Sequence, residues 1–212
     1  MSLKSGTRSL VRNAYKRAVR ARERRVDRRL GIETELGESL EPQFEGDVGY
    51  EPARFDALAE IFSRYPPAAD DGFVDVGCGR GRVLCVAATM AMRRCLGVEF
   101  RKDLAEAAEA NAASMIGRRT TIEVQNQDAT EVDYDGFSYL FLFNPFDAPI
   151  MERFLETLRS SVERRPRAIR IVYLYPVHGD LLERQSWLAR QATFTVPYRL
   201  RYRMDVSVFA SR

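Results

Sequence analysis

The sequence is poor in the residues that build metal sites, disulfide frameworks and membrane spans. Its 212 residues include one histidine and three cysteines, Cys78, Cys85 and Cys95. Their number is odd and their spacing fits no zinc motif, so we expect no metal and reduced core thiols in a cytoplasmic protein. No apolar run approaches the roughly 20 residues that cross a bilayer, and we expect no signal peptide. The length suits one α/β domain with a short appendage.

Basic residues are concentrated at the start of the chain. Residues 1–30 carry a net charge of +9, whereas the remainder carries −6. Apolar residues recur there at near-helical spacing and predict an amphipathic helix from Lys4 to about Leu30; they are Val11, Tyr15, Ala18, Val19, Val26 and Leu30. This helix either contacts nucleic acid or another anionic surface, or packs its thin apolar stripe on the domain. The scarcity of aromatic residues for base stacking favours packing on the domain.

An acidic, glycine-containing stretch from Gly31 to Gly49 reads as a linker. We therefore expect a basic arm and linker over residues 1–49 and the main folded domain over residues 50–212. A helix should follow near Ala53, ended by a pair of prolines.

The most informative stretch is Phe73–Leu84, FVDVGCGRGRVL. A β-branched apolar run ends at Asp75, three alternating glycines follow, and helix-compatible residues then begin. This order is typical of a buried parallel strand, a tight turn close to a ligand, and a helix start. The pattern resembles motif I of the class I S-adenosyl-L-methionine (AdoMet) methyltransferases. A nicotinamide-binding turn would instead have a third glycine where Arg82 stands.

The segments that follow extend the resemblance. Strands and helices alternate, and the second strand ends in Glu99, which lies where an acid accepts hydrogen bonds from ribose hydroxyls. Asp128 follows the third strand, as does the acid beside the adenine in this family; a surface-turn role is the alternative. The fourth strand, Tyr139–Phe143, ends in Asn144-Pro145-Phe146.

That last tripeptide resembles motif IV, which faces the transferable methyl group. Amino-nucleotide methyltransferases carry a similar motif, but here the second proline is absent and Phe146 comes one position early. Asn-Pro-Phe also resembles Asn-Asn-Phe of the non-SET histone-lysine methyltransferases, whose first two strand motifs are similar to residues 73–81 and 97–99. The alternative for Asn144 is a turn residue at the end of a strand.

The resemblance implies a doubly wound α/β fold with a seven-stranded, mostly parallel sheet in the order 3-2-1-4-5-7-6. It implies a cofactor site at the carboxyl ends of strands one, two and four. The residues expected to contact AdoMet are Tyr50, Glu51, Asp75, Gly77, Cys78, Gly79, Gly81, Glu99, Phe100, Asp128, Ala129 and Asn144. Asn144, Pro145 and Phe146 are expected to position the methyl acceptor.

The C-terminal part is less well defined. We predict a helix from Gly179 to about Gln191, then strands from Ala192 to Phe209 whose connecting bend the sequence does not locate. His178, the only histidine, is either a general base or a surface loop residue.

The function expected is methyl transfer from AdoMet to an amine of a protein or small molecule, with nucleic acid as the next choice of acceptor. A nicotinamide-dependent oxidoreductase and a non-catalytic AdoMet-binding protein are the alternatives. The oligomeric state is left open between monomer and dimer.

Overall fold

A computed structural model of the chain describes residues 3–35, 41–42, 49–199 and 202–212, with only the backbone described for residues 3–12 and 199. Its helices are α1 (Leu3–Leu30), α2 (Phe55–Arg64), α3 (Arg82–Ala87), α4 (Lys102–Ser114), α5 (Ala148–Arg164) and α6 (Gly179–Glu183). Its strands are β1 (Gly72–Val76), β2 (Arg94–Glu99), β3 (Ile122–Asn126), β4 (Tyr139–Phe143), β5 (Arg170–Leu174), β6 (Leu188–Arg199) and β7 (Tyr202–Ser211).

All seven strands form one sheet in the order β3-β2-β1-β4-β5-β7-β6. Strands β1 to β5 are parallel to one another, and β7 pairs antiparallel with both β5 and β6. This confirms the predicted α/β class and strand order. The order reverses direction at β1, which lies between β2 and β4, and such a switch point opens a crevice at the carboxyl ends of the strands.

Alternate residues of the central strands supply the two halves of the core. In β4, Leu140 and Leu142 pack against α5, whereas Tyr139 and Phe141 pack against α2 and the β6–β7 hairpin. Because successive side chains point to opposite faces, a strand covered on both sides must be apolar throughout. The continuous apolar run of β4 is explained in this way.

Helix α1 forms where the arm was predicted, but its contact with the domain differs from the prediction. Of the predicted stripe, Val26 and Leu30 pack against a small cluster around Phe55. The most buried α1 side chains are instead acidic, Glu23 at 2% and Asp27 at 4% exposure. Val11 lies outside the described side chains. The division of the chain at residue 49 stays a prediction.

The predicted helix from Gly179 to Gln191 is wrong beyond Glu183. From Leu188 onward the backbone pairs with β7, beginning at Leu188 with Ser211, so sheet hydrogen bonding overrides local helix propensity. Strands β6 and β7 pair up to Arg199 and Tyr202, and the bend between them lies outside the described residues.

Two further findings concern membranes and metals. None of the described helices is both long and apolar enough to cross a bilayer. Among all the residues that the structure describes, no group of three or more His, Cys, Asp or Glu side chains is arranged to hold a metal ion.

Candidate functional site

A cavity of about 1050 Å³ opens at the carboxyl ends of β1, β2 and β4. It brings together the predicted site residues from five separate stretches of the chain: Tyr50, Glu51, Asp75, Gly77, Cys78, Gly79, Glu99, Phe100, Asp128, Ala129, Asn144, Pro145 and Phe146. Gly81 is the exception. It is the left-handed residue before α3, where a side chain would meet Ala108, so it serves the helix start and packing rather than the cavity wall.

The glycine turn touches two other segments so closely that side chains cannot be accommodated. A Cβ on Gly77 would lie 2.6 Å from Pro145, and one on Gly79 would lie 2.3 Å from the Tyr50 ring. Both glycines also have positive φ, at 74° and 54°. The turn therefore fixes the strand-four loop on one side and Tyr50 on the other.

Glu99 joins the tip of β2 to this turn. Its Oε2 accepts a hydrogen bond from the Gly79 amide at 2.8 Å, and its Oε1 accepts one from the Arg101 amide at 2.9 Å. Glu99 also lines the cavity. Glu99 therefore holds the glycine turn and the loop after β2 together beside the cavity.

Asp75 lines the cavity and has one carboxyl oxygen without a hydrogen-bond partner among the described residues. The residue is 2% exposed, and its Oδ2 has no hydrogen-bond partner in the described part of the chain. Burial raises the pKa of Asp75 well above the usual carboxyl value, and the nearby Glu99 raises it further. A buried carboxyl oxygen without a partner, on a cavity wall, is suited to a cationic ligand group.

Asp128 closes a turn and also lines the cavity. Its Oδ1 accepts hydrogen bonds from the Thr130 amide and hydroxyl, both at 2.8 Å, and so closes a turn. Its Oδ2 lies 3.9 Å from the Arg153 guanidinium, in the wall of the cavity.

Asn144 occupies a left-handed conformation with φ at 41°, which a non-glycine residue adopts only at some cost. The Tyr173 hydroxyl donates a hydrogen bond to its Oδ1 at 3.3 Å and accepts one from the His178 amide at 3.4 Å. The imidazole of His178 is not part of the cavity wall. The backbone of His178, rather than its ring, is thus linked to the site.

Phe146 lies mainly in the core. It is 7% exposed and packs against Phe154 with ring centroids 5.6 Å apart. More exposed aromatic rings stand elsewhere on the cavity wall, namely Tyr175 at 50% and Tyr202 at 71%.

The sequence did not predict that the β6–β7 hairpin lines one side of the cavity. Five of its residues contribute: Tyr198, Tyr202, Arg203, Met204 and Asp205. The alternation of tyrosine and arginine in this segment was a visible signal, but it indicates only a strand, and the register that turns these residues toward the cavity depends on pairing between β5 and β7.

The second group that sequence reasoning missed surrounds Arg82, which is 3% exposed and also lines the cavity. Its guanidinium donates to Glu23 Oε2 at 2.7 Å, to Thr34 Oγ1 at 2.6 Å and to the Ala53 carbonyl at 3.1 Å. Thr34 in turn donates to Asp27 at 2.7 Å. An arginine opening an otherwise apolar helix, and just two acids in a basic arm, were the available signals.

Tyr50 completes this connection between α1 and the glycine turn. Its ring covers Gly79, and its hydroxyl donates to the Thr34 carbonyl at 3.2 Å. Glu51, beside it, accepts hydrogen bonds from the Tyr198 hydroxyl at 3.1 Å. Tyr50 and Glu51 therefore line the cavity and contact both the segment that follows α1 and the hairpin.

The sequence matches no protein-family model and no curated protein, but many solved structures share the fold. An RNA methyltransferase from Salinibacter ruber, solved with S-adenosyl-L-homocysteine, is 20% identical, with a TM-score of 0.54 over 76% of this chain and 92% of that one. A ribosomal protein L11 methylase from Lactobacillus delbrueckii subsp. bulgaricus is 18% identical, with a TM-score of 0.53 over 74% and 77%.

A magnesium protoporphyrin IX methyltransferase from Synechocystis PCC 6803, solved with bound AdoMet, is 13% identical, with a TM-score of 0.56 over 73% and 76% of the two chains. The three neighbours are named for different substrates, and at these identities the likeness concerns architecture alone. Together with the observed strand order, it identifies the fold of this chain as that of the class I AdoMet-dependent methyltransferases.

Proposed function

We propose that this protein is an AdoMet-dependent methyltransferase. The observation that carries the proposal is the unpartnered, buried Oδ2 of Asp75 on the wall of a cavity whose rim also presents Glu99. A ligand that offers a cation at one end and a diol further along suits this pair of acids. AdoMet has both groups. The structures that share the fold of this chain include proteins solved with AdoMet or with S-adenosyl-L-homocysteine.

The residues that would hold the cofactor follow from their positions. Asp75 would receive the ammonium group, and the backbone of Gly77 and Gly79 would lie against the methionine part. Glu99 would accept from the ribose hydroxyls and Asp128 from the adenine amine. Flanking contacts would come from a further set of predicted residues on the cavity wall: Tyr50, Glu51, Cys78, Phe100 and Ala129.

AdoMet supplies a methyl group on a sulfonium, which an amine can attack directly. The task of the protein is to bind, orient and exclude water. Asn144, with the carbonyl of Pro145, would orient the acceptor, and the Tyr173 hydroxyl fixes the Asn144 amide for that purpose. Phe146 would support this loop from the core rather than lie face-on against the acceptor.

The acceptor is proposed to be an amine of a protein or small molecule, with nucleic acid as the alternative. The exposed tyrosines on the cavity wall, Tyr175 and Tyr202, favour an acceptor that carries a flat or apolar part. The three cysteines are all buried and none forms a disulfide, which is compatible with a reducing, cytoplasmic setting.

A nicotinamide-dependent oxidoreductase is the rival with the most similar fold. Against it, Arg82 stands where the third glycine of a nicotinamide turn belongs, and its guanidinium is engaged by Glu23. A non-catalytic AdoMet-binding protein would share the cofactor site but would not transfer the methyl group.

Titration calorimetry tests the cofactor assignment. The full chain should bind AdoMet and S-adenosylhomocysteine but not NAD, and Asp75→Asn should weaken the binding of both, because both carry the ammonium group that Asp75 would receive. Asp133→Asn, an exposed acid outside the cavity wall, is the matched control. Transfer of label from [methyl-³H]AdoMet to total cellular protein, RNA or metabolite fractions then tests activity. Binding of NAD alone would reject the proposal.

A further inference from the structure

The acids of α1 are turned inward. Glu23 and Asp27 are both buried. Glu23 forms an ion pair with Arg82, and Asp27 accepts hydrogen bonds from the Thr34 hydroxyl and from the amides of Thr34 and Glu35. They are the only acids among residues 1–30. The solvent side of the described part of α1 therefore carries no negative side chain.

Basic side chains cover that solvent side. Residues 13–30 include eight of them, of which all but Arg20 are exposed: Lys16, Arg17, Arg20, Arg22, Arg24, Arg25, Arg28 and Arg29. At about 100° per residue, the seven arginines span an arc of roughly 200° opposite the buried side. Among these eight residues, Arg22 is the only one that forms an ion pair within the described part of the chain, with Asp56 at 2.9 Å.

Such an arrangement disfavours the isolated helix. Arginines four positions apart, such as Arg20 and Arg24 or Arg24 and Arg28, repel each other, and each such pair opposes helix formation. A bound polyanion would remove that repulsion. The guanidinium groups, whose planar forks match phosphate oxygens, lie along roughly 18 Å of helix.

We propose that the solvent face of α1 is a nucleic-acid-binding surface, joined to the wall of the cavity through Glu23 and Arg82. The proposal concerns binding by α1 and stands whether or not the cavity transfers a methyl group. A membrane is a poorer partner than nucleic acid. An interfacial helix needs a wide apolar face, and the larger apolar side chains Val26 and Leu30 already pack on the domain.

Fluorescence anisotropy of the full chain with a labelled single-stranded RNA of mixed sequence tests this surface. The quadruple variant Arg17→Gln, Arg24→Gln, Arg25→Gln and Arg28→Gln removes the centre of the arc. Its matched control removes four charges from exposed, ion-paired positions elsewhere: Lys102→Gln, Arg159→Gln, Arg184→Gln and Arg190→Gln. The two variants have the same net charge.

We expect the α1 variant to lose at least about tenfold in RNA affinity and the slope of log K against log salt to decrease by about 3, as for four lost phosphate contacts. The control variant should stay close to the native chain. Equal losses in both variants would mean that net charge alone drives binding and would overturn the proposal. So would stronger binding to phosphatidylcholine–phosphatidylserine vesicles or to poly-L-glutamate than to RNA.

Calorimetry with AdoMet separates this proposal from the cofactor assignment. The α1 variant should bind AdoMet as the native chain does, because none of the four arginines lines the cavity. RNA binding without AdoMet binding would leave the surface standing and remove the methyltransferase proposal. AdoMet binding without RNA binding would do the reverse.

Discussion

The guanidinium of Arg82 and the carboxylate of Glu23 meet at 2.7 Å, with both side chains less than 4% exposed. Arg82 begins α3 directly behind the glycine turn, and Glu23 belongs to α1, so this pair ties the arm to the cavity. Burial raises the pKa of Glu23, and Arg82 opposes that rise without cancelling it. A buried ion pair is costly to break from one side only, because the remaining charge is left without its partner.

The first prediction follows from that asymmetry. Arg82→Met should lower the free energy of unfolding by about 3 to 5 kcal/mol. Adding Glu23→Met should recover part of that loss, since the second change removes the uncompensated carboxyl group. Thermal and denaturant unfolding of the native chain, both single variants and the double variant give the coupling energy. A double variant less stable than Arg82→Met would contradict the expectation.

The second prediction concerns the link between pH and cofactor binding. The raised pKa of Asp75 means that this carboxyl retains its proton at higher pH than an ordinary aspartate. A bound cation favours the ionised form, so AdoMet binding should release this proton, and affinity should rise as pH rises toward the raised pKa, by at most about tenfold per unit. The pH dependence of the stability of the ligand-free chain has the opposite sign. The stability contributed by protonated Asp75 is complete below the usual carboxyl pKa and is lost as pH rises through the raised one.

Calorimetry in buffers of different ionisation enthalpy counts the protons released. Asp75→Asn is the control, because it keeps the titration of the ligand's own amino group and removes that of the protein. If the native chain and Asp75→Asn release the same number of protons, Asp75 does not meet the cation.

Glu99 illustrates how far a motif can be taken before the structure is known. Its place at the tip of β2 was predictable from the glycine turn and the spacing between the two. Its hydrogen bonds to the Gly79 and Arg101 amides were not, because they depend on how two loops meet. In contrast, the buried ion pair between Glu23 and Arg82 was not predicted from the sequence. Charged residues are rarely buried, and these two lie 59 positions apart.

The third prediction separates the two roles of Glu99. Glu99→Ala should lower both stability and AdoMet affinity, since it leaves two buried amides without an acceptor, at about 1 to 3 kcal/mol each. Glu99→Gln keeps the shape and one acceptor oxygen, so it should lose less stability. A comparison of S-adenosylhomocysteine with its 2′-deoxy analogue measures the ribose contact. The difference in affinity between these ligands should shrink in Glu99→Gln, and an unchanged difference would place the ribose elsewhere.

The fourth prediction tests whether Tyr173 positions Asn144. Tyr173→Phe should lower the rate of methyl transfer about tenfold, because it removes a contact that positions Asn144. It should leave AdoMet affinity unchanged. Asn144→Ala should lower the rate further. Tyr139→Phe is the matched control, since its buried hydroxyl bonds the Tyr65 carbonyl at the opposite end of β4. The rate is measured with [methyl-³H]AdoMet and the acceptor fraction that takes up label. Equal effects of the two phenylalanine variants would leave Tyr173 with a structural role only.

The fifth prediction distinguishes the two functions of α1. Removal of residues 1–12 should leave the midpoint of thermal unfolding and AdoMet affinity nearly unchanged, because Glu23 and Asp27 remain. Removal of residues 1–29 should lower both, since Arg82 loses Glu23 and Thr34 loses Asp27. The Thr34 carbonyl in turn accepts the hydrogen bond of the Tyr50 hydroxyl, and the Tyr50 ring covers Gly79. Combining Arg82→Met with the longer deletion should restore part of the stability but none of the RNA affinity. If the longer deletion weakened RNA binding alone, α1 would be an independent arm, and the contact between Glu23 and Arg82 would contribute nothing to the cavity.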